Sequence, residues 1–199
     1  MTLALALTTL CQAQSRKVIN LSSWDFSRDG KAWQQVAVPH DWAISGPFDK
    51  KWDLQMVAIE QNGETEKTEK SGRSGALPWI GEGMYKMNWT APKGYKRAVL
   101  VFDGAMSQPV VSVNGKEAGK WAYGYNAFRI DITPFIQFGK SNLIEVHLNN
   151  VEESSRWYPG GGLYRPVSVE LYGNENFSTW DTFVRTLKAD KQEAEVEVN

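Results

Sequence analysis

The residues best equipped for chemistry lie in one run, Ser154 to Arg165, which reads SSRWYPGGGLYR. Arg156 offers a planar fork of donors that suits hydroxyl and carboxylate oxygens. The faces of Trp157 and the neighbouring tyrosines suit the apolar C–H face of a sugar ring. Gly160, Gly161 and Gly162 let a backbone come close to whatever the loop encloses. Such a loop lines a carbohydrate site or packs against another domain, and composition weighs the two readings equally. A second group is Pro39-His40-Asp41-Trp42. An imidazole beside a carboxylate is half of a triad, but no third partner stands out, so a structured turn after a strand is the preferred reading.

Other chemistries find little support. The chain has 23 acidic residues, and spacing selects no pair of them for glycosidic hydrolysis. His40 and His147 are the only histidines, and Cys11 is the only cysteine, so no zinc spacing and no intrachain disulfide is expected. His147 falls on the polar side of its strand, where solvent satisfies it. The three glycines lack a following lysine and helix, so they read as a tight loop rather than a phosphate cradle. No cofactor and no metal are expected.

The elements that must position these residues are short strands. Arg97 to Phe102 is a continuous apolar run ended by Asp103-Gly104. Val110 to Val113 leads into Asn114-Gly115, the strongest short hairpin signal, because both residues accept a positive φ. Leu143 to Asn149 alternates, with Ile144, Val146 and Leu148 on one side. Val167, Val169 and Leu171 repeat that pattern. Met84 to Trp89 and Gln34 to Val38 read as weaker strands. Pro134 to Phe138 is expected to form a short helical turn. Glu60 to Gly75 is polar and charged, and reads as a long surface loop. The spacing predicts an all-β sandwich or jelly roll over 17–172, with a boundary near 174–178 and two further strands at Thr182 to Thr186 and Ala194 to Val198.

The 199 residues carry 22 basic and 23 acidic side chains, a net charge of -1, which gives no footing for nucleic acid. The 9 Trp, 7 Tyr and 8 Phe favour strands and sugar-facing surfaces. Leu3 to Leu10, followed by Cys11-Gln12-Ala13, resembles the end of a secretory signal peptide, and is far short of a membrane span. Export, periplasmic or extracellular, is therefore expected.

Five blocks together resemble the N-terminal sugar-binding domain of glycoside hydrolase family 2, the β-galactosidase family. They are Val38-Pro39-His40-Asp41-Trp42; Gly81-Glu82-Gly83-Met84-Tyr85-Lys86; Phe102-Asp103-Gly104-Ala105-Met106-Ser107 with Val113-Asn114-Gly115; Tyr123-Gly124-Tyr125 with Phe128, Asp131 and Thr133; and Ser155 to Arg165. Each is weak singly, but five in order make a specific match. The chain departs from the family at Met84, where a tryptophan is usual, and at Lys86, where an arginine is usual. Lys86 lacks the bidentate fork.

The resemblance implies a galactose-binding-domain-like jelly roll over 16–175, after a whole or partial signal peptide at 1–15. It also implies the first strands of an incomplete immunoglobulin-like domain at 176–199. The family's catalytic glutamates lie in a downstream (β/α)₈ barrel, for which this chain is too short, so no residue here is expected to be catalytic and the chain is expected to be inactive alone. What the resemblance leaves to this domain is substrate positioning at the rim of the barrel's site, through Arg156 and Trp157 first, and Asp41 and Trp42 second. The expected partners are a β-galactoside-like carbohydrate and the downstream immunoglobulin-like and barrel domains of the full-length protein. The alternative is a free-standing carbohydrate-binding or adhesion module.

Overall fold

The computed structural model describes residues 16–44, 48–52, 55–58, 60–70, 79–150, 160–174, 176 and 182–199. The strands are β1 (Lys17–Asn20), β2 (Ser23–Ser27), β3 (Gln34–Ala37), β4 (Gln55–Val57), β5 (Thr68–Lys70), β6 (Glu82–Thr90) and β7 (Arg97–Phe102). They continue as β8 (Val110–Val113), β9 (Lys116–Lys120), β10 (Phe128–Asp131), β11 (Ser141–Asn149), β12 (Val167–Tyr172), β13 (Val184–Ala189) and β14 (Ala194–Val198). Among the described residues, helix is confined to two 3-10 turns, Lys50–Trp52 and Glu60–Asn62.

Two antiparallel sheets face each other, one in the order β1-β12-β7-β10 and the other β3-β2-β6-β11-β8-β9. The all-β sandwich expected from the sequence is therefore present. Alternation explains it. Ile144, Val146 and Leu148 of β11 are buried, while their neighbours along the strand are only partly so. One face joins the core and the other stays wet, as antiparallel sheets allow. Each such side chain contributes about 1.5–3 kcal/mol. From the opposite sheet come Ala98, Leu100 and Phe102 of β7, and Val167, Val169 and Leu171 of β12.

The unbroken apolar run of β7 has a separate reason. Val99 and Val101 point to the outer face, where they form a second small cluster with Tyr172. Beside them Glu170 is buried, paired with Arg129 and hydrogen-bonded by Tyr172, with Arg16 at 3.3 Å.

The Asn114-Gly115 turn has φ of 52° and 77° and joins β8 to β9. Asn114 also accepts from the Leu143 amide and donates to the Phe135 carbonyl, which ties the turn to the next segment. One expectation needs correction. Glu60 to Gly75 is not simply a loop, because Glu60–Asn62 is a 3-10 turn and β5 pairs with β4. Ladder hydrogen bonds come from the backbone, so charged side chains do not prevent a two-stranded ribbon. The Pro134 segment forms a single turn, in line with the short helical turn expected there. Phe135 and Ile136 both donate to the Ile132 carbonyl, and then the Asn142 side chain takes the Gln137 amide at 2.7 Å. β13 and β14 form a separate two-stranded sheet, with all of β13 exposed.

Candidate functional site

Register decides what the loops can reach. Phe102 pairs with both Phe128 and Val167, so the end of β7 and the starts of β10 and β12 share one end of the sandwich. Asn149 pairs with Glu82, His147 with Val110, and Val110 with Lys120, which brings the end of β11, the starts of β6 and β8 and the end of β9 to one end of the other sheet. The connections β7–β8, β9–β10 and β11–β12 each cross between the sheets, and they meet there.

At the centre is a strap, 160–163, gripped on both sides. His40 N donates to Leu163 O at 2.7 Å and Trp42 N to Gly161 O at 3.3 Å. On the other side Gly162 and Met106 exchange both backbone hydrogen bonds, at 2.9 and 3.0 Å. Asn150, itself buried, donates its side-chain amide to Gly160 O at 3.0 Å. The strap is thus a short irregular strand between two loops. Gly162 has φ +91°, and a Cβ there would fall on the Tyr85 hydroxyl.

Beneath the strap lies an aromatic stack. Phe26 contacts His40, Trp42 and Tyr85, with ring centroids 5.0, 5.9 and 4.8 Å away. Tyr85 hydroxyl and His40 Nδ1 are 2.8 Å apart. Burial pushes the Tyr85 hydroxyl's pKa well up. Burial also holds the His40 imidazole below its ordinary 6.5, with Asp41 working against that and Arg28 with it. Both shifts favour the neutral forms, and the two side chains share a hydrogen bond whose direction is set by the His40 tautomer. Trp79 packs on Trp42 at 5.2 Å, and the Arg28 guanidinium covers Trp79 at 4.7 Å while donating to Trp42 O at 2.9 Å.

The residues singled out from sequence fare differently. Arg156 and Trp157 lie outside the described residues. Asp41 sits in the gripping loop, its Oδ1 accepting from Ala43 N at 3.0 Å and its Oδ2 facing Gly160. Trp42 is 1% exposed, and its ring is a packing element that carries the loop holding Asp41. Its Nε1 has no hydrogen-bond partner among the described residues. The turn at 39–42 is structured, and His40 belongs to it through Tyr85. His147 lies 3.3 Å from Glu82 rather than facing solvent alone. Lys86 is turned away from the cluster. It lies on the outer face of its sheet, with its ammonium 3.7 Å from the Trp33 ring centroid.

Sequence reasoning passed over Tyr85, Tyr164 and Arg165 as separate contributors. Tyr164 hydroxyl donates to Gly124 O at 2.9 Å, and Arg165 Nη1 donates to Tyr125 O at 3.1 Å and Asp103 O at 3.3 Å. The signal available was their place in the same block as the glycines. Among the described residues no group of three or more His, Cys, Asp or Glu is placed to hold a metal.

The sandwich, with its crossover loops joined at one end by aromatic and glycine blocks, matches the N-terminal part of family 2 glycoside hydrolases. The chain is related to that family over ~90% of its own length, and matches the N-terminal part of much larger proteins. No protein-family model matches it. A β-galactosidase of Bacteroides ovatus is 32% identical over 165 residues, covering 81% of this chain and 17% of that protein. A putative β-glucuronidase of Formosa agariphila is 31% identical over 181 residues, covering 88% of this chain and 16% of that protein. A crystal structure of a family 2 member from Bacteroides cellulosilyticus aligns with TM-score 0.62 and 28% identity, over 91% of this chain and 24% of that one. A β-glycosidase structure from Bacteroides vulgatus aligns with TM-score 0.66 and 26% identity, over 92% and 24%. The chain thus spans about a fifth of the length of these relatives.

Proposed function

We propose that this chain is the N-terminal accessory domain of an exported family 2 glycosidase, and that it shapes the substrate site of a catalytic barrel supplied by the same full-length protein. The observation that carries the reading is the double-sided grip on 160–163 beside Asp41. Arg156 and Trp157 precede this fixed segment in sequence, and in this reading they are the residues that contact substrate at the rim of the neighbouring site. Orientation of substrate by such contacts lowers the barrier without the domain taking part in bond cleavage. The two carboxylates of a retaining mechanism would come from the barrel.

The substrate class is a β-galactoside or β-glucuronide, since the relatives include a β-galactosidase and a putative β-glucuronidase. Residues 176–199, with the β13–β14 hairpin, begin an immunoglobulin-like domain in this reading. The apolar run Leu3 to Leu10 supports export. The test is Arg156→Ala in the full-length protein. We expect kcat/KM to fall tenfold to a hundredfold, about 1.4–3 kcal/mol, as for loss of a charged hydrogen bond. Unchanged kcat/KM with a lowered melting temperature would make Arg156 a scaffold residue and reject the positioning role.

A further inference from the structure

The loop between β9 and β10 presents an aromatic surface that the positioning role leaves unused. Tyr123 and Tyr125 are 58% and 44% exposed, with ring centroids 5.5 Å apart at 51°. Their backbone is pinned. Gly124 is buried against the Met106 sulfur, its carbonyl accepts from Tyr164, and the Tyr125 carbonyl accepts from Arg165. Trp121 stacks on the core ring of Phe128 at 5.6 Å and hydrogen-bonds Asn126 through Nε1, so the loop's entry is fixed as well. A pinned backbone with two projecting phenol rings is a preorganised surface, which lowers the entropic cost of binding.

The chemistry of the patch selects its occupant. Residues 121–127 and 164–165 contain no aliphatic side chain larger than alanine. An apolar partner would find little to pack on beyond the ring faces. The phenol tips and the Arg165 guanidinium, which reaches the carbonyls of Tyr125 and Asp103, add hydrogen-bonding groups to those faces, and Asn126 and Asp103 are exposed in the same loops. Apolar faces with a polar rim match a pyranose, which has C–H faces and an equatorial belt of hydroxyls.

The patch is also continuous with the strap. The Tyr164 ring passes Gly160, where an added Cβ would sit 3.8 Å from Tyr164 and 3.9 Å from Asp41 Oδ2, and its hydroxyl ends at Gly124. We infer that Tyr123 and Tyr125, with Arg165, bind a pyranose unit of a β-linked oligosaccharide, at a position further along the glycan from the unit held beside Asp41. This rests on the positioning role proposed above, and it adds that the substrate is an oligosaccharide rather than a glycoside of a small alcohol.

The test is titration of the 199-residue chain with β-1,4-linked galactotetraose, with galactose as the monomer control, followed by calorimetry and by amide NMR shifts. We expect a dissociation constant of roughly 0.1–3 mM for the tetrasaccharide, with shifts centred on 121–127 and 164–165. The Tyr123→Ala/Tyr125→Ala double variant should weaken it at least tenfold. Tyr125→Phe, which keeps the ring face, should retain most of the affinity. Both tyrosines are exposed, so an unchanged melting temperature verifies that the variants fold. Absence of binding at 10-fold the upper limit, equal affinity in the double variant, or self-association of the chain through this loop would each overturn the inference. None of these results bears on the kinetics of Arg156→Ala, so failure here and failure of the positioning role are told apart.

Discussion

Gly162 offers the sharpest test of how the loop cluster is held. Its φ of +91° lies in the region that side-chain-bearing residues avoid, and an added Cβ would fall on the Tyr85 hydroxyl and 2.8 Å from His40 O. Gly162→Ala therefore pays twice. The left-handed backbone costs roughly 1–2 kcal/mol for an L-residue. Forcing a methyl into the Tyr85–His40 contact adds the overpacking penalty, roughly 1–3 kcal/mol. The total expected loss is about 2–5 kcal/mol, measured by urea denaturation monitored through tryptophan fluorescence. Gly94→Ala is the internal control, because Gly94 has φ +90° with nothing within 4 Å of an added Cβ. That variant should show the backbone cost alone. If the two variants lose the same stability, the steric argument fails and the strap is not wedged against Tyr85. If Gly162→Ala loses less than about 0.5 kcal/mol, both arguments fail.

Two further outcomes follow from charged and titrating groups. Glu170→Ala should cost about 3 kcal/mol, because it removes the buried carboxylate that accepts from both the Arg129 guanidinium and the Tyr172 hydroxyl on the outer sheet face, whereas Arg16→Ala, at a half-exposed partner, should cost under about 1 kcal/mol. Equal losses in urea melts would remove the distinction. For His40, the folded pKa lies below its ordinary 6.5, so on acidification the unfolded chain takes up the proton first. Its contribution to stability is complete above about pH 6.5 and is lost as pH falls below that toward the folded value. Wild type should lose more stability than His40→Gln between pH 7 and pH 5, and parallel pH profiles would refute the burial of a neutral imidazole.

Much of the sandwich was legible because its strands signal themselves by alternation. β11 and β8 bury every second residue, β12 repeats the inward period at Val167, Val169 and Leu171, and β7 could be read as a buried strand because it is apolar on both faces. The strands that escaped notice are edges or short pieces. β1 buries little of its sequence KVIN, and β9 reads KEAGK, held only by the turn before it and one neighbour. β5 reads TEK and makes its ladder through backbone groups alone. No hydrophobic period marks such strands, since each turns at most one partly buried apolar side chain toward the core, Ile19 in β1 and Ala118 in β9. β2 is different, since Trp24 and Phe26 do point inward, but SWDFS is too short for two apolar residues to stand out.

The candidate site was legible in another way, through blocks rather than periods, and the structure explains why those blocks are recognisable. Each joins a small residue to a bulky one from elsewhere in the chain. An added Cβ at Gly83 would run into the Trp42 ring, and one at Gly124 into the Met106 sulfur. Close packing between distant segments leaves few residue types that fit, so the blocks record how the loops are clamped together. Trp42 illustrates the consequence. It stood out in the sequence beside Asp41, yet its ring lies inside the stack of Phe26 and Trp79, and it acts by holding a carboxylate-bearing loop. Tyr123 and Tyr125 stand at the other extreme. Packing does not require their rings, which project from a backbone that Tyr164 and Arg165 hold in place. Residues that a fold leaves exposed on a fixed backbone are free to vary with the ligand, and that is where differences in substrate among related sandwiches should be sought.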